Sequence, residues 1–181
     1  LISAISAVLL YMLLKRFTSD DRLRLLITFF YAFGTITFPT STEFFQRPIA
    51  AALMFASFFI LFKLRHKELK PSGFTLFGAG ILAGLSSLFD YFYLFAAPLL
   101  LFYALYTIRL YAKDAKDAKD SHAKAESIFR MRIFGLDKEK LLLLLKFAIG
   151  ASIPILLLFM YQYVIFDNFF STTYHHRAYL S

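Results

Sequence analysis

Residues 74–111 read FTLFGAGILAGLSSLFDYFYLFAAPLLLFYALYTIRLY, and Asp90 and Arg109 are the only charged side chains in that stretch. One continuous helix over it would be about 57 Å long at 1.5 Å per residue, nearly twice the roughly 30 Å hydrocarbon core of a bilayer. The stretch therefore predicts two apolar helices rather than one. Asp90, flanked by Ser86, Ser87, Tyr91 and Tyr93, is the natural turn between them.

The same pattern extends outward in both directions. Upstream lie apolar runs at Leu1–Leu14, Leu25–Phe38 and Ile49–Leu64. A polar loop bracketed by the helix breakers Pro39 and Pro48 separates the second run from the third. The first run is shorter than the roughly 20 residues a span needs and reads as the end of a helix that starts earlier, in a segment of a longer chain. Downstream, residues 112–140 form an aqueous region that opens on a threefold Ala-Lys-Asp repeat, Ala112 to Asp120, read as a solvated linker or helix. The Ile128, Phe129, Met131, Ile133 and Phe134 set, mixed with Arg130 and Arg132, suits a helix lying on a membrane surface. A last span runs from Leu141 to about Ile165, and a polar tail, 166–181, follows.

The predicted fold class is thus all-α, a polytopic transmembrane bundle of about six helices. Residues 1–111 supply five of them, 112–140 the charged linker, and 141–165 the sixth. Composition agrees: 59% of the 181 residues are hydrophobic, 24 of them Phe, more than a soluble domain of this size can hide in one core. The absence of Cys removes disulfides, thiolate nucleophiles and cysteine metal sites. A net charge of +8 invites a nucleic-acid reading, but the cations flank apolar spans instead of forming a patch with stacking aromatics. Alternating the spans, with Lys15–Arg24 in the cytoplasm, puts every Lys and Arg except Arg47 and Arg177 on or near the cytoplasmic side. The expected location is a prokaryotic cell membrane, spanned several times.

That topology leaves Glu43, Arg47, Asp90, Asp167, His175, His176 and Arg177 on the outer face. Glu43 and Arg47, four apart, read either as an ordinary i,i+4 ion pair or as a phosphate-binding Arg with its orienting carboxylate. Asp90 reads either as a turn and cap residue or as a carboxylate facing a polar cavity. Arg177 reads as a phosphate contact or as part of a loop, and the two adjacent histidines lack the further ligands a metal site needs. Gly80 and Gly84 form a GxxxG pair with Gly78 beside them, a helix-packing signal. Tyr91, Tyr93, Tyr161 and Tyr163 suit one membrane interface, and Tyr103, Tyr106 and Tyr111 the other.

Three stretches carry a family resemblance. YAFGTITFPTSTEFFQRPIAAAL from Tyr31, AGILAGLSSLFDY from Ala79 and YQYVIFDNFFSTTY from Tyr161 resemble the Gly-Thr turn with its outer loop, the Gly-rich span and the aromatic exit of polytopic GT-C glycosyltransferases of the protein-mannosyltransferase-like kind. The resemblance implies inverting sugar transfer from a polyprenyl-phosphate donor on the outer face, with Glu43, Arg47, Asp90 and Arg177 near the donor phosphate. The family's catalytic acid lies in an outer loop upstream of the matched region, so no catalytic residue is assigned. No cofactor is predicted and no metal site, with a divalent cation left open. The implied partners are membrane lipid and lipid-linked sugar, with other membrane subunits if the chain is instead a non-catalytic scaffold of a larger complex. A transporter fits less well, because the charges sit at span ends instead of mid-membrane.

Overall fold

The computed structural model describes residues 2–35, 46–120 and 138–166, with the side chains of 111–120, 138–140 and 166 left aside. The described residues form six helices: α1 (Ile2–Leu14), α2 (Asp21–Gly34), α3 (Arg47–Arg65), α4 (Gly73–Phe89), α5 (Phe92–Asp120) and α6 (Lys138–Phe166). Three stretches are long and apolar enough to cross a membrane: Arg47–Arg65, Phe92–Leu110 and Leu141–Ile165. Helices α1 and α4 are apolar but shorter. The apolar stretch from Phe74 does break at Asp90 into two helices. Helix α5 runs on through the Ala-Lys-Asp repeat to Asp120.

Local chemistry fixes several helix ends. The Asp20 carboxylate accepts from the Arg22 N–H at 2.9 Å and starts α2, and the Ser72 hydroxyl accepts from the Phe74 N–H at 3.4 Å and starts α4. Pro48 occupies the first turn of α3, where its missing N–H costs nothing. Helix α3 ends in a Schellman-type closure. Lys67 adopts a left-handed φ of 62°, and the Glu68 N–H returns to the Lys63 carbonyl at 3.0 Å. Pro98 and Pro154 lie inside α5 and α6, a placement that membrane helices tolerate when neighbours cover the freed backbone groups.

The core gathers Leu61 and Leu64 from α3, Leu76, Ala79 and Ala83 from α4, Leu100, Ala104 and Ile108 from α5, and Phe147 from α6. On α6 the buried positions Phe147, Gly150, Pro154, Leu158 and Gln162 recur every three or four residues. The opposite stripe, including Leu142, Leu145, Ile149, Ile153, Leu156 and Met160, is exposed. Apart from Gln162 both stripes are apolar, as expected of a helix whose outer solvent is lipid.

The tightest contact joins α4 and α6 through glycine. A Cβ on Gly80 would stand 2.1 Å from the Phe147 carbonyl oxygen, and one on Gly84 2.4 Å from that of Ala151. In return, a Cβ on Gly150 would stand 2.3 Å from the Phe77 carbonyl oxygen. Backbone therefore meets backbone, the close approach that small residues permit in membranes. Gly78 faces open space and takes no part.

Helix α3 is tied to α4 by one buried side-chain bond, in which the Ser57 hydroxyl donates to the Ala79 carbonyl at 2.7 Å. Ser57→Ala is expected to cost about 0.6 kcal/mol, typical of an interhelical hydrogen bond in a bilayer. Reversible unfolding in mixed micelles measures it, and a loss above about 2 kcal/mol would mean that the hydroxyl holds more than this one contact.

Candidate functional site

The end of the bundle formed by the start of α3 and the α4–α5 turn carries two of the predicted site residues together. Asp90 leaves α4 in an extended conformation, φ −152° and ψ 121°, while its N–H still bonds to the Ser86 carbonyl. Its Oδ1 accepts from the Phe92 N–H at 3.2 Å and so starts α5. The other carboxylate oxygen, Oδ2, lies 3.8 Å from Arg47 Nε. Asp90 is thus the turn and cap residue, and its second carboxylate oxygen partners a cation.

Arg47 stands in the first turn of α3, where the helix dipole is positive and a cation is disfavoured. Asp90 supplies one compensating negative charge. The pairing is light: the Arg47 side chain is 67% exposed against 15% for Asp90, and a single exposed contact of this length contributes at most about 1 kcal/mol. Among the described residues Asp90 is the one ion-pair partner of Arg47, which leaves most of the guanidinium's donors for another anion. The hydroxyls of Tyr31 and Tyr93 lie within electrostatic reach of the same corner.

Below Arg47 an apolar groove of about 350 Å³ runs between α3 and α5. Ala51, Met54, Phe55 and Phe58 form one wall, and Tyr93, Ala96, Leu99 and Leu100 the other. Arg47, Ala51, Met54, Phe55 and Phe58 are spaced as one face of a helix, so the cation heads the groove that its own helix lines. The groove is open on its side and almost wholly apolar. It fits a hydrocarbon chain better than a polar solute.

Glu43 and Arg177 lie outside the described residues, as do Asp167, His175 and His176. The described residues hold no group of three or more His, Cys, Asp or Glu suited to a metal ion. Sequence reading missed the groove. The period of Ala51, Met54, Phe55 and Phe58 was visible, but in a chain this apolar such a stripe reads as core until the facing helix is known. Ser87, legible only as a flank of the turn at Asp90, is buried, and its hydroxyl finds no hydrogen-bond partner among the described residues.

No protein-family model, curated protein or solved structure matches this chain.

Proposed function

We propose that this is the membrane part of a glycosyltransferase that draws sugar from a polyprenyl-phosphate donor at the Arg47–Asp90 end of the bundle. In this reading about six helices enter the bilayer, the basic end faces the cytoplasm, and Arg47 and Asp90 face outward. The observation that carries the proposal is a lightly held guanidinium at the head of an apolar groove between α3 and α5. A polyprenyl chain suits the groove and its phosphate suits Arg47, which offers planar, charge-assisted donors to an oxyanion.

Transfer in such a site has an acceptor oxygen attack the anomeric carbon. Its proton passes to a carboxylate, and the bond to the phosphate oxygen breaks. The lipid phosphate leaves with the electron pair, and its charge is met by a cation. Arg47 is assigned that last role. The base is left unassigned, and Glu43 and Arg177 are proposed as further contacts to donor phosphate or sugar.

Arg47→Ala in the full-length protein is the test. Replacing a charged hydrogen-bond partner of a phosphate is expected to weaken donor affinity about tenfold to a hundredfold. Sugar transfer from a labelled polyprenyl-phosphate donor measures it, and unchanged turnover and affinity would remove Arg47 from the site.

A second reading, a non-catalytic scaffold, is favoured by α2. This helix packs against α1 alone among the described helices. It exposes Leu25, Leu26, Phe29, Phe30 and Phe33, a surface that another membrane subunit could cover as well as lipid. Purification in mild detergent separates the readings: stable partners without polyprenyl lipid favour the scaffold.

A further inference from the structure

At the other end of α3 the chain builds a second, chemically different cavity. Helix α1 ends at Leu14, and Lys15 and Arg16 follow it in a turn closed by the Arg16 N–H on the Leu13 carbonyl. Lys63 belongs to the last turn of α3. The left-handed Lys67 swings the chain back, so that the Glu68 carboxylate comes within 4.0 Å of Lys63 Nζ. Between α1 and α3 these residues enclose about 370 Å³, with Phe59 and Phe62 as part of its wall. The volume lies within the usual range of small-molecule sites and exceeds what one phosphate group needs.

Cations at helix C-termini are ordinary, because the carbonyl ends of α1 and α3 attract them. That accounts for Lys15 and Lys63 but not for their convergence with Arg16 around a cavity. Lys63 spreads its charge over the Phe59 ring, 5.1 Å away, and Lys15 lies over Tyr11 at 5.8 Å. Among the described residues, neither Lys15 nor Arg16 has an ion pair within 4.0 Å. Three cations therefore face one carboxylate. His66 follows α3 at this end of the bundle, its ring 4.3 Å from that of Phe62. Burial first, then Arg16 and Arg65, hold its pKa below the ordinary imidazole value, against the opposing pull of Glu68.

We propose that the Lys15–Arg16–Lys63 cavity binds the phosphate headgroup of an anionic phospholipid in the leaflet bordering this end of the bundle. Cations gathered between membrane helices at the interface form the kind of pocket that takes an anionic lipid headgroup. The apolar share of the lining, Phe59 and Phe62, favours a phosphate that carries glycerol and acyl chains over a free inorganic anion. The proposal is independent of the glycosyltransferase reading and of which side of the membrane this end faces.

Native mass spectrometry of the full-length protein, released from detergent with phosphatidylglycerol or phosphatidylcholine added, tests it. The wild type is expected to retain phosphatidylglycerol at least about tenfold more strongly. Lys15→Gln, Arg16→Gln and Lys63→Gln should each lower that preference roughly fivefold, as expected for removing one cation near a charged lipid surface. Lys70→Gln, a cation outside the cavity lining, should leave it unchanged. Thermal melts of the single variants confirm that they remain folded. Equal retention of the two lipids overturns the proposal, as does an equal loss in Lys70→Gln, which would mark diffuse surface charge. Complete displacement of phosphatidylglycerol by millimolar inorganic phosphate also overturns it, because the site would then serve a free anion.

Discussion

Gly80→Ala is expected to push α4 away from α6 and to cost about 3 kcal/mol, and Gly80→Leu to leave no folded protein in detergent. The added Cβ would stand 2.1 Å from the Phe147 carbonyl oxygen and 3.0 Å from the Ala151 nitrogen. Both atoms are backbone, so no rotamer change relieves the clash and one helix must move. Overpacking a tight interface typically costs about 1–3 kcal/mol even where side chains can adjust, and the upper end applies here. Gly150→Ala should match it, because its Cβ would meet the Phe77 carbonyl oxygen at 2.3 Å from the other side of the same contact. Gly78→Ala, two residues from Gly80 in the same helix, is the control. Its Cβ enters open space, and alanine's better helix propensity makes the change neutral or stabilising by up to about 1 kcal/mol. Unfolding by SDS titration in mixed micelles gives the three values. If Gly80→Ala and Gly78→Ala melt alike, α4 and α6 are not in backbone contact.

These glycines also mark how far the sequence could be read. The GxxxG spacing of Gly80 and Gly84 announces a close helix contact, the break in residues 74–111 follows from bilayer thickness and chain length, and its place from Asp90 and its Ser and Tyr flanks. Those are one-dimensional facts, fixed by period and by rise per residue. The partner of the glycine face is not. Gly150 stands alone in α6, and nothing local ties it to Phe77 across an intervening stretch of more than sixty residues. The site shows the same division. Arg47 and Asp90 were each legible as ionisable groups at span ends, but their 3.8 Å approach depends on α3 packing against α4 and α5. Sequence spacing pairs Arg47 with Glu43, which lies outside the described residues; among the described residues its ion-pair partner, Asp90, is distant in the chain. The basic residues at the other end were legible as an orientation signal. Their convergence on a cavity depends on α1 packing against α3, and the carboxylate beside them on the left-handed Lys67, a conformation that a lysine seldom adopts and that composition does not announce.

Arg47→Ala and Asp90→Asn are expected to shift donor affinity in opposite directions. If Arg47 holds the donor phosphate, its loss weakens binding about tenfold to a hundredfold. Asp90, 3.8 Å away, is then a rival anion that competes for the same guanidinium and repels the same phosphate. Neutralising it while keeping an acceptor for the Phe92 N–H should tighten donor binding about twofold to fivefold, the size of an exposed ion pair worth up to roughly 1 kcal/mol. Stability separates this from the turn role of Asp90. Asp90→Asn keeps the capping oxygen and should unfold within about 1 kcal/mol of wild type, whereas Asp90→Ala loses it and should cost about 1–2 kcal/mol more. A double-mutant cycle of unfolding with Arg47→Ala should give a coupling below about 1 kcal/mol, because the guanidinium is mostly exposed. Binding of a labelled polyprenyl-phosphate sugar to the full-length variants decides the point. A cap alone would leave affinity unmoved in Asp90→Asn. Equal weakening in both variants would instead make the carboxylate a direct contact of the sugar, with the groove beneath Arg47 still the seat of the lipid.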